Sequence, residues 1–282
     1  FFDVGQHKAV LFAQRDGRYE VVFVPIDPKG TPGYIPARGT RPDYIVTVDT
    51  RSPQIEVRCP NGGESFQAGK TILIEWHAVD SDVRPDGIRV EVKKHDGQWV
   101  TIHKNLPNTG SLPWDIPRFE GGREAVRQYK VRVSATDRAG NTGTDESDKS
   151  FSVDGLSPDA HVVGPSVSNT SPVEVSYVVE DFGGTGVRTV HLWFTRDGGA
   201  SWDYYGSDDD ATSPIFFQGL DGDYGFYTTA VDHVGNKAPD PQGGKTKPQH
   251  RTIVDSSSPR MKFIAPKKQA YLAGRAIEIR WA

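Results

Sequence analysis

The chain repeats itself, and the repeat lengths limit its possible folds more than any other feature of the sequence. Phe66-Gln-Ala-Gly69-Lys-Thr-Ile72-Leu-Ile74-Glu-Trp76 returns as Tyr271-Leu-Ala-Gly274-Arg-Ala-Ile277-Glu-Ile279-Arg-Trp281, 205 residues later at both the glycine and the tryptophan. Asp16, Gly17 and Tyr19 return as Asp221, Gly222 and Tyr224 at the same offset, as do Asp27 and Gly30 at Asp232 and Gly235. A shorter period lies inside this one. Tyr129, Asp137 and Gly140 keep the spacing of Tyr19, Asp27 and Gly30, eight residues and then three. Each copy closes on Val-Asp followed by Ser-Pro: Val48-Asp49 with Ser52-Pro53, Val153-Asp154 with Ser157-Pro158, and Val254-Asp255 with Ser258-Pro259. The prolines stand 105 and 101 residues apart. Self-similarity at a fixed period marks an array of modules, here about 100 residues each and of two alternating kinds. Two modules read as complete, over residues 51–154 and 155–256. Residues 1–50 match only the later part of the second kind, and 257–282 only the first strands of the first kind. The ends therefore read as portions of further modules.

Within each module the local pattern is strand. Ile72, Ile74 and Trp76 alternate with Leu73 and Glu75, and Ile88, Val90 and Val92 with Arg89, Glu91 and Lys93. Tyr129, Val131, Val133 and Ala135 alternate with polar residues, and Val173, Val175, Tyr177 and Val190, Leu192, Phe194 behave likewise. Period-two alternation predicts antiparallel strands with one buried face. Turn signals fall between the runs, at Asn61-Gly-Gly63, Asp86-Gly87, Asp96-Gly97, Gly183-Gly184, Asp197-Gly198-Gly199 and Asp221-Gly222. Thirty Gly and 20 Pro in 282 residues, roughly 18% against a usual 12% or so, are the punctuation such a fold needs. No stretch of ten or more residues carries a capped 3.6-residue period. The expectation is an all-β chain of tandem two-sheet sandwiches, with Tyr129 and Tyr224 placed to form tyrosine corners.

Composition removes several function classes. The chain carries 33 basic and 37 acidic residues with the signs interspersed, for a net charge of −4. That argues against a nucleic-acid partner, which calls for a basic stripe. No apolar run approaches the ~20 residues of a membrane span. Cys59 is the one cysteine and forms no intrachain disulfide.

Pro60-Asn-Gly-Gly-Glu-Ser-Phe66-Gln-Ala-Gly69, Ile72-Leu-Ile-Glu-Trp76, Asp96-Gly-Gln-Trp99, Leu106-Pro-Asn-Thr-Gly110 and Trp114-Asp-Ile-Pro117 resemble the immunoglobulin-like, fibronectin type III-like repeats of large secreted or cell-surface bacterial proteins. The second module is similar to a sister type through Asp181-Phe-Gly-Gly184-Thr-Gly186-Val187, Asp197-Gly-Gly-Ala-Ser-Trp202 and Tyr224 to Asn236. The resemblance covers nearly the whole chain. It implies an extracellular or cell-surface setting and service as spacer, adhesive stalk or accessory module, and it identifies no reaction.

Few residue groups suggest chemistry. Gly69-Lys70-Thr71 ends like a phosphate loop, but Glu64 stands where the first glycine is required and a strand follows where a helix is needed. Gly244-Lys245-Thr246 fails at Pro239 in the same way. Thr195 to Trp202 matches the Asp-box pattern of sialidase-like propellers, which reads here as a hairpin turn capped by Asp197. Asp137 to Asn141 and Asp232 to Asn236 read first as Asx turns leaving a late strand. The sharper reading is calcium at module junctions, held by Asp80, Asp82, Asp137, Asn141, Glu180, Asp181, Asp232 and Asn236, since calcium prefers carboxylate and amide oxygens. Ser207 to Asp210 is a further acidic cluster that reads as a solvated loop. The eight His show no zinc spacing. His191 and Trp193 fall on the strand face opposite Val190, Leu192 and Phe194, where aromatics could stack on a glycan or be covered by neighbouring repeats.

The sequence therefore predicts a non-catalytic structural or adhesive segment, a spacer rod, stalk, or wall or filament component, with no cofactor except calcium. Its expected partners are the neighbouring repeats, a glycan or surface ligand, and other copies joined end to end through strands of the partial terminal modules. The competing expectation is a set of carbohydrate-binding accessory modules of a secreted hydrolase.

Overall fold

A computed structural model describes residues 2–3, 8–94, 97–118, 126–267, 273–274 and 276–282. Asp96, of the Asp96-Gly97 turn signal, lies outside the described residues. The chain divides into two units, Phe1–Gly155 and Leu156–Ala282.

In the first unit, β1 (Phe2–Asp3) pairs with β2 (Lys8–Ala9), and β3 (Gly17–Val21) pairs antiparallel with β4 (Tyr44–Val48). Then follow β5 (Gln54–Cys59), β6 (Ser65–Gln67), β7 (Thr71–Val79), β8 (Val83–Lys94) and β9 (Val100–Leu106). The unit closes with β10 (Ser111–Asp115), β11 (Val126–Asp137), β12 (Thr142–Glu146) and β13 (Phe151–Asp154). One sheet has the order β10-β7-β5; the other runs β6-β13-β11-β8-β9, with β12 also on β11. Every pairing is antiparallel except β6 on β13.

The second unit contains β14 (Asp159–Val163), β15 (Val167–Ser168), β16 (Val173–Glu180), β17 (Val187–Thr195) and β18 (Asp203–Asp208). It continues with β19 (Ile215–Phe217), β20 (Gly222–Asp232), β21 (His250–Val254), β22 (Phe263–Ala265) and β23 (Arg280–Trp281). Its sheets run β14-β16-β19 and β15-β21-β20-β17-β18, again with one parallel contact, β15 on β21. The two orders superimpose element for element. A three-stranded sheet faces a larger one, and an early strand returns parallel to the last. This is the fibronectin type III-like variant of the immunoglobulin sandwich, and the all-β expectation holds.

The alternation explains the packing. In the first unit Val57, Ile74 and Trp76 from one sheet meet Ile88, Val90, Val131, Val133 and Phe151 from the other, all buried in one cluster. Each such side chain contributes about 1.5–3 kcal/mol when taken out of water. Trp114 stands edge-on to both Tyr129 (5.8 Å) and Phe151 (6.4 Å), the offset geometry that aromatic quadrupoles favour. In the second unit Phe217 occupies the corresponding centre, with Phe226 at 4.9 Å and Tyr224 at 5.0 Å. Gln249 ties the two sheets of this unit together. Its Oε1 accepts from Val162 N in β14 and Thr228 N in β20, while its Nε2 donates to Ala160 O.

The outer face of β20 is covered by its own chain. Gly225, Thr229 and Val231 on that face are buried. The 237–249 segment runs over it: Gly244 N donates to Gly199 O at 2.8 Å, and Pro248 lies where a side chain on Gly225 would stand. By contrast, the paired strands outside the two sandwiches leave apolar side chains in solvent, including Tyr44 (65% exposed), Phe263 (66%) and Trp281 (64%).

Tyr224 forms the expected corner, its Oη donating to Leu220 O at 3.0 Å. Tyr19, one long repeat earlier, does the same to Arg15 O at 2.7 Å. Tyr129 is buried and stacked on Phe151. Tyr224→Phe keeps the ring packing and removes one hydrogen bond of about 1 kcal/mol. Its melting temperature should therefore fall by about 4–8 °C for a module of this size; an unchanged melting curve would remove the corner from the account of stability.

Candidate functional site

Polar chemistry concentrates where strands end. At the end of β11, Asp137 Oδ1 accepts from Gly140 N (2.7 Å) and Asn141 N (2.8 Å), and its Oδ2 from Asn141 Nδ2 (2.8 Å). At the end of β20, Asp232 repeats the arrangement with Gly235 N (2.6 Å), Asn236 N (2.7 Å) and Asn236 Nδ2 (2.8 Å). Asp27 Oδ1 accepts from Lys29 N (2.9 Å) and Thr31 N (2.8 Å), so the third copy keeps the turn although it lacks the Asn. Gly140 and Gly235 take φ of 100° and 97°, a conformation strained for residues bearing Cβ. Asp137 and Asp232 are fully buried, a position a carboxylate tolerates only when hydrogen-bonded. Burial pushes the Asp137 carboxyl up, but the donors of Asn141, Gly140 and Ala139 outweigh it and hold the group below its ordinary range.

The eight residues expected to hold calcium do not form one group. Within the first unit the carboxylates of Asp49, Asp80 and Asp137 lie within 4.8 Å of one another. They come from the ends of β4, β7 and β11, and Asn141 joins them by donating Nδ2 to Asp49 O at 3.0 Å. Asp82 turns away to Arg138, whose Nε stands 3.0 Å from its Oδ1. In the second unit Asp181 and Asp232 approach within 4.8 Å, with Asp181 accepting from Gly183 N and Gly186 N. Glu180 sits in the β14–β16 ladder opposite Asp159. Asp49 was missed as a ligand candidate, although it is the acid of the recurrent Val-Asp pair. Three carboxylates and a side-chain amide make a donor set that fits a hard divalent cation, which takes six to eight oxygens. Asp49 and Asp80 each already accept one backbone N–H, from Arg51 and Asp82, so the same residues also serve as turn caps.

The Asp-box segment is a turn. Asp197 Oδ1 accepts from Thr195 Oγ1 (2.7 Å) and Ser201 N (2.9 Å), and its Oδ2 from Ser201 Oγ (2.6 Å). These bonds, Ser201 foremost, hold the carboxyl far below the usual range. Gly69-Lys70-Thr71 leads into β7, a strand, as its rejection as a phosphate loop requires.

His191 and Trp193 lie on the outer face of β17 and are half-buried rather than exposed. Both stand edge-on to Tyr204, at 5.7 and 5.2 Å, and it is Tyr204 that shows half its surface to solvent. The indole Nε1 atoms of Trp193 and Trp202 and the Oγ1 of Thr229 are buried without a hydrogen-bond partner among the described residues. Burial, then Lys237, lowers the His191 pKa. Sequence periodicity placed these residues on the right face but gave no sign of the local cover. Burial, then Glu64 and Glu75, raises the Cys59 thiol, the reverse of what a thiolate nucleophile needs.

No protein family matches the chain, and no curated protein is similar to it at a significant level. Among solved structures it is similar to the fibronectin(III)-like modules of CbhA from Clostridium thermocellum, at 17% identity and a TM-score of 0.36 over 72% of this chain and 94% of that one. It is also similar to a tetra-tandem repeat from the extending region of a large adhesion protein, at 17% identity and a TM-score of 0.29 over 76% of this chain and 52% of that one. A segment of titin aligns at 13% identity and a TM-score of 0.36 over 83% of this chain and 84% of that one. The fold assignment rests on the strand orders above and not on these likenesses.

Two measurements test the polar strand ends. Asp197 has a depressed pKa when folded, so it stabilises the fold above its unfolded value of about 4, and that contribution is lost as pH falls through the folded value. Asp197→Ala should therefore melt below the parent at pH 7, and the gap should narrow below about pH 4; a gap independent of pH would assign the loss to packing alone. A cation on Asp49, Asp80 and Asp137 would bind only the folded chain. Calcium would then raise the melting temperature by several degrees, with reversal by chelator and loss of the effect in Asp80→Ala. No shift would leave the three carboxylates as turn caps.

Proposed function

We propose that this chain is a non-catalytic structural segment of a modular extracellular or cell-surface protein, acting as a spacer rod or adhesive stalk. The observation that carries this reading is the recurrence of one turn device at three places: the tyrosine and aspartate turn of Tyr19 and Asp27, of Tyr129 and Asp137, and of Tyr224 and Asp232, with the aspartate buried in the last two. A chain that reuses the same sandwich and the same turn gains length by adding modules, as repeat proteins do. The short Ser-Pro links at Ser52-Pro53, Ser157-Pro158 and Ser258-Pro259 favour a stiff arrangement, because proline removes backbone freedom. The titratable groups described above support a structural role too. Asp137, Asp197 and Asp232 spend their oxygens on backbone N–H groups and the side chains of their own turns, and burial with Glu64 and Glu75 keeps Cys59 toward the thiol.

Among the described residues no helix is long and apolar enough to cross a membrane. The resemblance to secreted repeats supports the extracellular setting.

Small-angle scattering tests the rod. A compact particle of this length has a radius of gyration of about 19 Å. The proposal expects a value well above that and a distance distribution with a long tail; a value near 19 Å would reject it. The same experiment over a concentration series reads the terminal strands β3–β4 and β22–β23. Mass rising with concentration supports strand pairing between copies, and constant mass removes it from the proposal.

A further inference from the structure

The edge strand of the larger sheet in the first unit is bulged twice within seven residues. Ile88 pairs with Leu106, Val90 with His103 and Glu91 with Thr101. Lys104 and Asn105 together therefore oppose Arg89, and Ile102 opposes no residue of β8. Asn105 takes φ of 59°, a left-handed conformation uncommon outside glycine. Bulges bend a strand and re-aim its side chains. Here they accompany a groove of about 780 Å³ lined by Arg84, Arg89, Thr101, His103, Lys104 and Asn105. The opposite wall depends on Gly87, where a Cβ would collide with Thr136 O.

The groove is cationic and preorganised. Arg84 is held by Asp86 through Nε and Nη2, each at 3.2 Å. Arg89 Nη2 is held by Glu91 Oε1 at 2.6 Å and Thr101 Oγ1 at 2.7 Å. Each guanidinium keeps further N–H donors, since it carries five. Lys104 is exposed and has no partner among the described residues. Three cations against the two carboxylates of Asp86 and Glu91 leave a positive excess of one, carried by Lys104. That excess is too small for a nucleic acid, which presents a charge every ~1.7 Å. An added peptide strand is also disfavoured, because strand addition needs a continuous edge and bulges interrupt it. What remains is a ligand with sparse acidic groups and many hydroxyls. Arginine forks and Lys104 would meet the acids, and Thr101, His103 and Asn105 the hydroxyls. The volume lies in the range of small-molecule sites.

We infer that this groove binds an acidic saccharide, one bearing a carboxylate or sulfate on its repeating unit. The inference does not depend on the rod reading, since a groove on one module works in any arrangement of modules.

Calorimetric titration of the whole chain at low ionic strength tests it, with polygalacturonate and dextran sulfate as the two acidic probes. Neutral dextran and polyglutamate serve as controls. The expected result is saturable binding to at least one acidic polysaccharide, weakening with salt, and none to dextran. Lys104→Glu should weaken it about fivefold with an unchanged melting curve. Arg188→Glu, on the second unit, should leave it unchanged. Absence of binding to both polysaccharides overturns the inference, as does equal binding by Lys104→Glu or polyglutamate binding as tightly. Self-association without polysaccharide that Lys104→Glu abolishes would assign the groove to the acidic Ser207–Asp210 loop of a second copy, and overturns it too.

Discussion

The longest ladders in both units, β8 with β11 and β17 with β20, carry the burial on which everything else depends. Val90, Val131 and Val133 in one, and Val190, Leu192 and Phe226 in the other, are wholly buried between two sheets. Burial of this kind rests on every second residue being apolar over residues 88–92, 129–135 and 190–194, and it forces the remaining residues outward. The outward residues of β8 and β11 include Arg89, Glu91 and Arg132, with Glu91 meeting Arg89 along its own strand and Arg132 across the ladder. Register is fixed by the same requirement, because a slip of one residue would turn the charged set into the core.

Once the ladders are set, their ends must be closed, and the chain uses carboxylates for this. Asp137 and Asp232 are buried at the point where the backbone turns away. Both accept from backbone N–H donors and a neighbouring Asn side chain. Asp197 closes the β17–β18 hairpin and Asp181 the turn from β16 to β17 in a similar way. The acidic residues that look most like chemistry in the sequence are thus largely occupied with backbone groups. Asp49 and Asp80 each cap a turn as well, and the convergence of three strand ends that are far apart in sequence brings them beside Asp137.

The two modules also differ where the shared design leaves room. On the first, the edge strand β9 is bulged and basic. On the second, the corresponding edge β18 leads into Asp208, Asp209 and Asp210, and the outer sheet face is roofed by residues 237–249. Tyr177 donates to Asp208 at 2.6 Å, and burial with that contact raises its phenolic pKa. The module surfaces are therefore free to diverge while the core and its closing turns are repeated.

Much of the fold was legible because the physics that produces it is local. Alternation at Ile72 to Trp76 or Tyr129 to Ala135 reflects a strand's period of two, and Asp-x-x-Gly after each late strand reflects the turn that Asp and Gly make easily. The repeat offset tied these local signals into modules. The corner at Tyr224, the Asp turns and the Asp-box hairpin were all readable in this way, since their partners lie within five residues. What only the tertiary structure decided are contacts between residues more than ten positions apart. It joined Asp49 and Asp80 to Asp137, sent Asp82 to Arg138, set Tyr204 against His191 and Trp193, and laid the 237–249 segment over β20. The paired bulges of β9 belong to the same class, because a register shift exists only relative to a partner strand. The sequence by itself determined which residues must be buried and where the backbone turns; which side chains meet across those turns depended on how the sheets close.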